Sequence, residues 1–279
     1  MGYSVIYFNS LSRRFEAEVG IESVKQMILE RVKQVSTEHE FARLVWLVID
    51  VAIESLKHGR KRIAMIVDDA FQFMGVREAA ALIKGMLELI EHPEERYEKI
   101  VAIAATSEGL SRAEIGRHRW ADIMPMWNMG RKGFEELYEK IPGTKPDFDE
   151  VWRLTGGNPD ILRKLYLSGW SADDVIMSLI ESKGLRNFVS SLTGDERKWL
   201  CEAVEDPDTL YTRERIPLLR KLVELNLIVD EIEFRDPKLW IDEPPLEKDP
   251  ELGIGRLAAW QTPIHREAVR KVLGGCRYV

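Results

Sequence analysis

The spacing of apolar positions along the chain predicts a succession of strands and helices. In YSVIYFN, Tyr3 to Asn9, β-branched and aromatic residues crowd a short run and predict an opening strand. Apolar residues then recur at helical spacing in IESVKQMILERVKQV, Ile21 to Val35, and in EHEFARLVWLVIDVAIESLKHG, Glu38 to Gly59. In the second stretch Phe41, Leu44, Val45, Val48, Ile49, Ala52 and Ile53 share a face, and Gly59 stops the helix. RIAMIVD, Arg62 to Asp68, reads as a strand, and VREAAALIKGMLELIEH, Val76 to His92, as a helix ending before Pro93. KIVAIAATS, Lys99 to Ser107, is nearly all apolar and predicts a third strand covered on both faces. A short turn and the strand-like ADIMPMW, Ala121 to Trp127, complete this half. Strands alternating with helices predict a parallel α/β sheet with helices on both faces.

From Arg131 the pattern changes. RKGFEELYEKI, FDEVWRL, NPDILRKLYLSGW and SADDVIMSLIESKGLRNFVSSL predict short helices joined by Gly, Pro and Ser turns, with no strand. A third pattern starts at LTGDERKWLCEAVED, where Thr193 and Glu196 have capping-box spacing. The helical RERIPLLRKLVELN, the strand-like LIVDEIEF (Leu227 to Phe234), an acidic Pro-rich excursion, the strand-like RLAAWQTP and the helical PIHREAVRKVL follow. That order predicts a winged-helix module. Three domains are therefore expected: an α/β core over 1–129, a helical subdomain over 130–191, and a winged helix over 192–279.

Composition narrows the class. A hydrophobic share of 45% and a charged share of 31% fit a soluble globular protein. The net charge of -7 supplies no overall basic field for gripping nucleic acid. The longest apolar stretch, Phe41 to Ile53, carries Arg43 and Asp50 and is too short to span a bilayer. With no signal-peptide pattern at the N-terminus, a cytoplasmic location is expected. Cys201 and Cys276 lie far apart, without a His or Cys at ligand spacing, so neither a disulfide framework nor a zinc cluster is expected. Four Gln and five Asn among many Glu, Lys and Arg favour a thermophilic source.

The candidate chemistry sits at strand ends. Asp68 and Asp69 close an apolar strand, at the ligand-binding edge of a parallel sheet. Asp68 would hold magnesium through water and Asp69 would orient an attacking water; a turn or helix cap is the alternative. Thr106 and Ser107 end the next strand and would sense a terminal phosphate or the attacking water, or else are ordinary strand-end hydroxyls. Arg112, Arg117 and Arg119 crowd the following segment. An arginine there could stabilise phosphoryl-transfer charge from a neighbouring subunit, or belong to a solvated basic turn. In TGGNPDILRKL, Gly156 and Gly157 permit a tight turn, Pro159 suits a helix start, and Arg163 and Lys164 follow one turn on. His39, His58, His92, His118 and His265 lack ligand spacing and are read as structural or surface residues.

Taken in order, these segments resemble the archaeal ATPase family of the STAND branch of AAA+ proteins. IAMIVDDAFQF looks like its Walker B strand, IVAIAATSEGLSR like its sensor strand, and GRHRWADIMPMWNMGRKGFEELYEKI like its arginine-bearing entry to a helical lid. WRLTGGNPDILRKL resembles its Gly-Gly-x-Pro signature, and WQTPIHREAVRKVL the close of its C-terminal winged helix. The resemblance implies a nucleotide-dependent switch using ATP or ADP and Mg2+, with Asp68 as metal residue and Asp69, Thr106 and Arg119 catalytic. Ser107, Gly157, Pro159 and Arg163 would contact the nucleotide.

Two departures stand out. The family usually has Asp-Glu where this chain has Asp68-Asp69, and no G-x-x-x-x-G-K-[ST] phosphate loop occurs in the sequence. YSVIYFN matches the family's second strand, so the resemblance implies an empty slot beside KIVAIAAT, where the family has a central strand. Weak or absent ATP hydrolysis is therefore expected, with a phosphate loop upstream as one explanation. The alternative is a non-hydrolysing scaffold or regulator acting through the winged helix. Its acidic stretch DEPPLEKDPE favours a protein partner over DNA, despite four basic side chains in YTRERIPLLRKL. A homo-oligomer remains compatible with this reading.

Overall fold

The computed structural model describes all residues except 1, 10, 19, 36, 38–39, 41–42, 70–75, 107–121 and 277–279. The chain is mixed α/β and falls into two compact units, Met1–Ile123 and Met124–Val279.

The first unit is a four-stranded sheet. β1 (Ser4–Asn9) turns into an antiparallel partner, β2 (Arg14–Glu18), and runs parallel to β3 (Arg62–Asp68), which runs parallel to β4 (Lys99–Ala105). The order is β2-β1-β3-β4. Helices α1 (Glu22–Lys33), α2 (Leu47–Lys57) and α3 (Val76–Glu91) fill the connections, with a 3-10 turn over Leu44–Trp46 leading into α2.

Among the described residues the core lies on one face of the sheet, not two. Ile6 and Phe8 pair in register with Met65 and Val67, and all four are buried with Val24, Val48, Ala52 and Leu82 from the three helices. Val5, Tyr7, Ala64, Ile66 and Val101, on the opposite face, are only half-buried, and Ile103 is 47% exposed. The strand order explains this. From β1 to β3 to β4 the chain steps in one direction, and successive right-handed crossovers in one direction place their helices on the same side. Helices on both faces need a reversal of strand order, which these four strands lack. β2 was not expected, although its alternation of exposed Arg14, Glu16 and Glu18 with half-buried Phe15 and Ala17 carries a period of two. Its charged outer face suits an edge strand.

The described part of ADIMPMW, Asp122 to Trp127, forms no strand of this sheet. Met124 to Trp127 belong to the second unit, where Met126 bridges to Ile241. Among the described residues β4 pairs only with β3.

The second unit is helical: α4 (Arg131–Glu139), α5 (Phe148–Thr155), α6 (Pro159–Leu167), α7 (Ala172–Ser182), α8 (Leu185–Ser191), α9 (Gly194–Glu205), α10 (Ile216–Glu224) and α11 (Pro263–Val272). The expected strands over 227–234 and 256–263 shrink to a two-residue antiparallel pair, β5 (Ile228–Val229) with β6 (Ala259–Trp260). One hydrophobic core runs from Phe134 through Leu200 to Val269. Fully buried Trp260 donates its Nε1 proton to the Ala203 carbonyl at 3.0 Å. The Thr193–Glu196 capping box forms as its spacing predicts, with bonds of 3.2 and 2.9 Å.

The acidic excursion between β5 and β6 is fastened by two ions rather than by a sheet. The Asp208 carboxylate accepts from the amides of Arg256, Leu257 and Ala258 at 2.7, 2.7 and 3.2 Å. Arg235 donates to the carbonyls of Leu246, Arg256 and Gly255 at 2.9, 2.8 and 2.8 Å. Both cysteines, Cys201 and Cys276, are free thiols and half-buried.

Candidate functional site

Parallel pairing builds the first cluster. β1 and β3 are in register such that Asn9 stands opposite Asp68, and Asp68 stands opposite Ala105 at the end of β4. Asn9, only 6% exposed, donates from Nδ2 to Asp68 Oδ2 at 2.9 Å and to Asp69 Oδ2 at 3.2 Å. Its Oδ1 accepts from the Ser12 amide at 2.7 Å, which fixes the amide orientation within the β1–β2 turn. The Tyr7 hydroxyl donates to Asp68 Oδ2 at 3.2 Å. Burial pushes the Tyr7 phenol above its ordinary pKa and the Asp68 charge adds to this, against the opposing Asn9 bond, so Tyr7 remains a donor. Asn9 and Tyr7 are neutral donors that position the Asp68 side chain.

Asp69 has φ +52°, a left-handed backbone that an Asp side chain tolerates better than most. Thr106 follows Ala105 directly and is half-buried at the same carboxyl edge. Of the sequence-predicted residues, Asp68, Asp69 and Thr106 thus share one edge of one sheet. Ser107 and Arg119, with Arg112, Arg117 and His118, lie outside the described residues. Sequence reading missed Asn9 and Tyr7. A terminal Asn on a strand was the available signal, but its partner is 59 residues away.

The Gly-Gly-Asn-Pro turn lies in the second unit. Gly156 ends α5 with φ +57°, Gly157 continues at +83°, and Asn158 caps α6 by accepting from the amides of Asp160 and Ile161, both at 3.0 Å. Gly157 is buried, and its carbonyl accepts from the Met129 amide at 3.1 Å. A Cβ at Gly157 would strike the Met129 carbonyl oxygen, and one at Gly156 would lie 2.9 Å from Pro263 Cδ. Asn158 Nδ2 donates to Asn128 Oδ1 at 2.8 Å, and Asn128 Nδ2 donates to the Gln261 carbonyl at 3.0 Å. The turn therefore clamps Asn128 and Met129 against the start of α11. Pro159 and Arg163 are exposed, Arg163 pairing with Asp160 at 3.3 Å.

Magnesium prefers oxygen ligands and commonly binds through one or two carboxylates plus phosphate and water. Asp68, Asp69 and Thr106 offer such donors. No group of three or more His, Cys, Asp or Glu able to hold a metal by itself occurs among the described residues. A phosphate cradle needs consecutive amides in a glycine-rich turn. The described left-handed glycines of the first unit, Gly20 and Gly59, flank the opposite, amino-terminal edge, after β2 and before β3. The oxygen donors of Asp68, Asp69 and Thr106 match the ligand chemistry of magnesium.

Asp68 and Asp69 stand at the carboxyl edge of the parallel strands, the edge at which α/β sheets generally bind ligands. The chain belongs to the family of ATPase domains found predominantly in Archaea, whose model matches residues 1–165. That span includes Asp68, Asp69, Thr106 and the Gly-Gly-Asn-Pro turn. No curated protein and no solved structure matches the chain. Among the described residues no helix is long and apolar enough to cross a membrane.

Proposed function

We propose that the chain is an ATPase-related switch protein of the STAND branch of AAA+ proteins that turns ATP over very slowly or not at all. The observation that carries this is the Asn9–Asp68–Asp69 cluster at the carboxyl edge, in a sequence without a phosphate loop. Asp68 is the residue for a water-bridged Mg2+, Asp69 orients water, and Thr106 and Ser107 sense the terminal phosphate. Arg119 acts on a neighbouring copy in a homo-oligomer. Residues 130–191 act as a lid subdomain, and residues 192–279 act as a winged helix. The setting is cytoplasmic. Titration with Mg2+ and ATP or ADP, followed by phosphate release, tests the reading. Weak binding that Asp68→Asn abolishes, with negligible turnover, is the expected result; tight binding with brisk magnesium-dependent turnover overturns it.

A second reading is a non-hydrolysing regulator working through the winged helix. Exposed Phe234, Leu239 and Leu246 beside the acidic 242–251 stretch support it. Those side chains suit a protein partner better than DNA, whose phosphates the acids repel. Salt-sensitive binding to duplex DNA would reverse that order.

A further inference from the structure

Among the described residues β4 is an outer strand, paired on one side only, with β3. Its contact with solvent runs the length of the strand. Ile63, Met65 and Val67 of β3 are fully buried, whereas their register partners Ile100, Ala102 and Ala104 stay half-buried on the same helix-bearing face. On the opposite face Val101 is half-buried and Ile103 is 47% exposed.

The two edges of the sheet are built differently. β2 exposes Arg14, Glu16 and Glu18, charges that deter pairing with a further strand. β4 carries a single charge, Lys99 at its start, and neither proline nor glycine. An edge of that kind is a template for another strand.

We propose that β4 pairs antiparallel with β4 of a second copy of this chain, about a two-fold axis through Ala102. The strand is complementary to itself in that register. Ile100 faces Ala104 of the second copy, Val101 faces Ile103, and Ala102 faces Ala102. On the helix-bearing face a large residue thus meets a small one, and on the open face two β-branched residues meet, a favourable cross-strand pair. The charges also match. The two Lys99 side chains stand at opposite ends of the paired strands, so they do not oppose each other. Asp68 is in register with Ala105, and Ala105 faces Lys99 of the second copy. That lysine lies on the face of Asp68, two strand spacings or about 10 Å away, within reach of its long stem. The two-fold axis keeps both helix layers on one side of a continuous eight-stranded sheet, with charged β2 at each outer edge. The pairing removes the undefended edge and requires no nucleotide.

Size-exclusion chromatography with light scattering, run on the full chain across micromolar concentrations, tests the pairing. The expected species is a dimer that dissociates on dilution, with β4 amides exchanging more slowly in the dimer. Ile103→Lys changes an exposed side chain and sets a like charge diagonal to Lys99 of the second copy. It is expected to leave the circular dichroism spectrum unchanged and to raise the dimer dissociation constant at least about tenfold. Lys99→Glu weakens the dimer in the same direction, and Glu16→Ala, on the charged edge, leaves it intact. Mild oxidation of Ala102→Cys joins two copies at position 102, as peptide mapping shows. A monomer at every concentration overturns the proposal: slow β4 exchange would then mean that the chain covers its own edge, and fast exchange that the edge awaits a different protein. A dimer indifferent to Ile103→Lys, or growth beyond the dimer, overturns it equally. Amide exchange on the unaltered chain keeps the outcome decisive even where a β4 variant folds poorly.

Discussion

The side-chain amide of Asn9 lies 2.9 Å from Asp68 and 3.2 Å from Asp69, so one neutral donor holds two adjacent carboxylates at the end of parallel strands. Replacing it by the near-isosteric Leu removes that donor from both acids. Asn9→Leu is expected to cost about 2 kcal/mol in urea unfolding, the usual scale for lost charge-assisted bonds. Unaltered stability in Asn9→Leu would show that the amide does not organise the pair.

Gly157 faces the Met129 carbonyl with a left-handed backbone, and no side chain fits there. Gly143 is left-handed too, at φ +90°, but a Cβ on it meets nothing within 4 Å. Gly143→Ala therefore carries only the conformational term, about 1 kcal/mol, whereas Gly157→Ala adds a steric clash and is expected to cost about 3 kcal/mol or more. Chemical denaturation of the two variants side by side checks the difference. Equal losses would mean that the clamp on Met129 relaxes freely.

His265 is held neutral. Its Nδ1 lies 2.7 Å from Thr262 Oγ1, which also accepts from the His265 amide at 3.4 Å and so has its own proton free to donate to the ring. Burial lowers its pKa to about 3, with the charges of Lys183 and Lys164 adding and Asp160 opposing. Below about pH 6.5 the unfolded chain takes up a proton that the folded chain refuses. Stability contributed by the neutral imidazole is therefore complete above that pH and is lost on acidification, by up to about 1.4 kcal/mol per pH unit, until about pH 3. Denaturation curves between pH 7 and pH 4 should show this slope, and His265→Gln should flatten it. An identical slope in the variant would place the acid sensitivity elsewhere.

Asp208 gathers three backbone amides of the 256–258 segment onto one carboxylate. Asp208→Ala strands all three and is expected to cost about 2–4 kcal/mol, while Asp208→Asn keeps acceptor geometry and costs less. Faster amide hydrogen exchange at Arg256 to Ala258 in Asp208→Ala is the local signature. Exchange as slow as in the unaltered chain would contradict the anchoring role.

Much of this architecture is visible in the sequence because its causes are local. The apolar spacing over 47–57, the apolar run into Asp68, and the Thr193–Glu196 box act along one helix, one strand or one helical turn. The position of Asp68 and Asp69 at a sheet edge followed from the same local pattern. KIVAIAAT read as doubly covered because apolarity reports a residue's own preference, not which neighbours arrive; in the fold Ile103 stays 47% exposed. ADIMPMW read as a strand, yet pairing needs a partner edge, and Met126 found Ile241 instead.

The sequence alone determined the helices, the parallel strands and the carboxylates that end one of them. Each depends on side-chain periodicity and capping among near neighbours. Only the tertiary structure decided that Asn9 meets Asp68 and that Gly157 receives the Met129 carbonyl. Those contacts join residues tens of positions apart. They are selected by strand register, chain reversal and close packing, which no local spacing encodes.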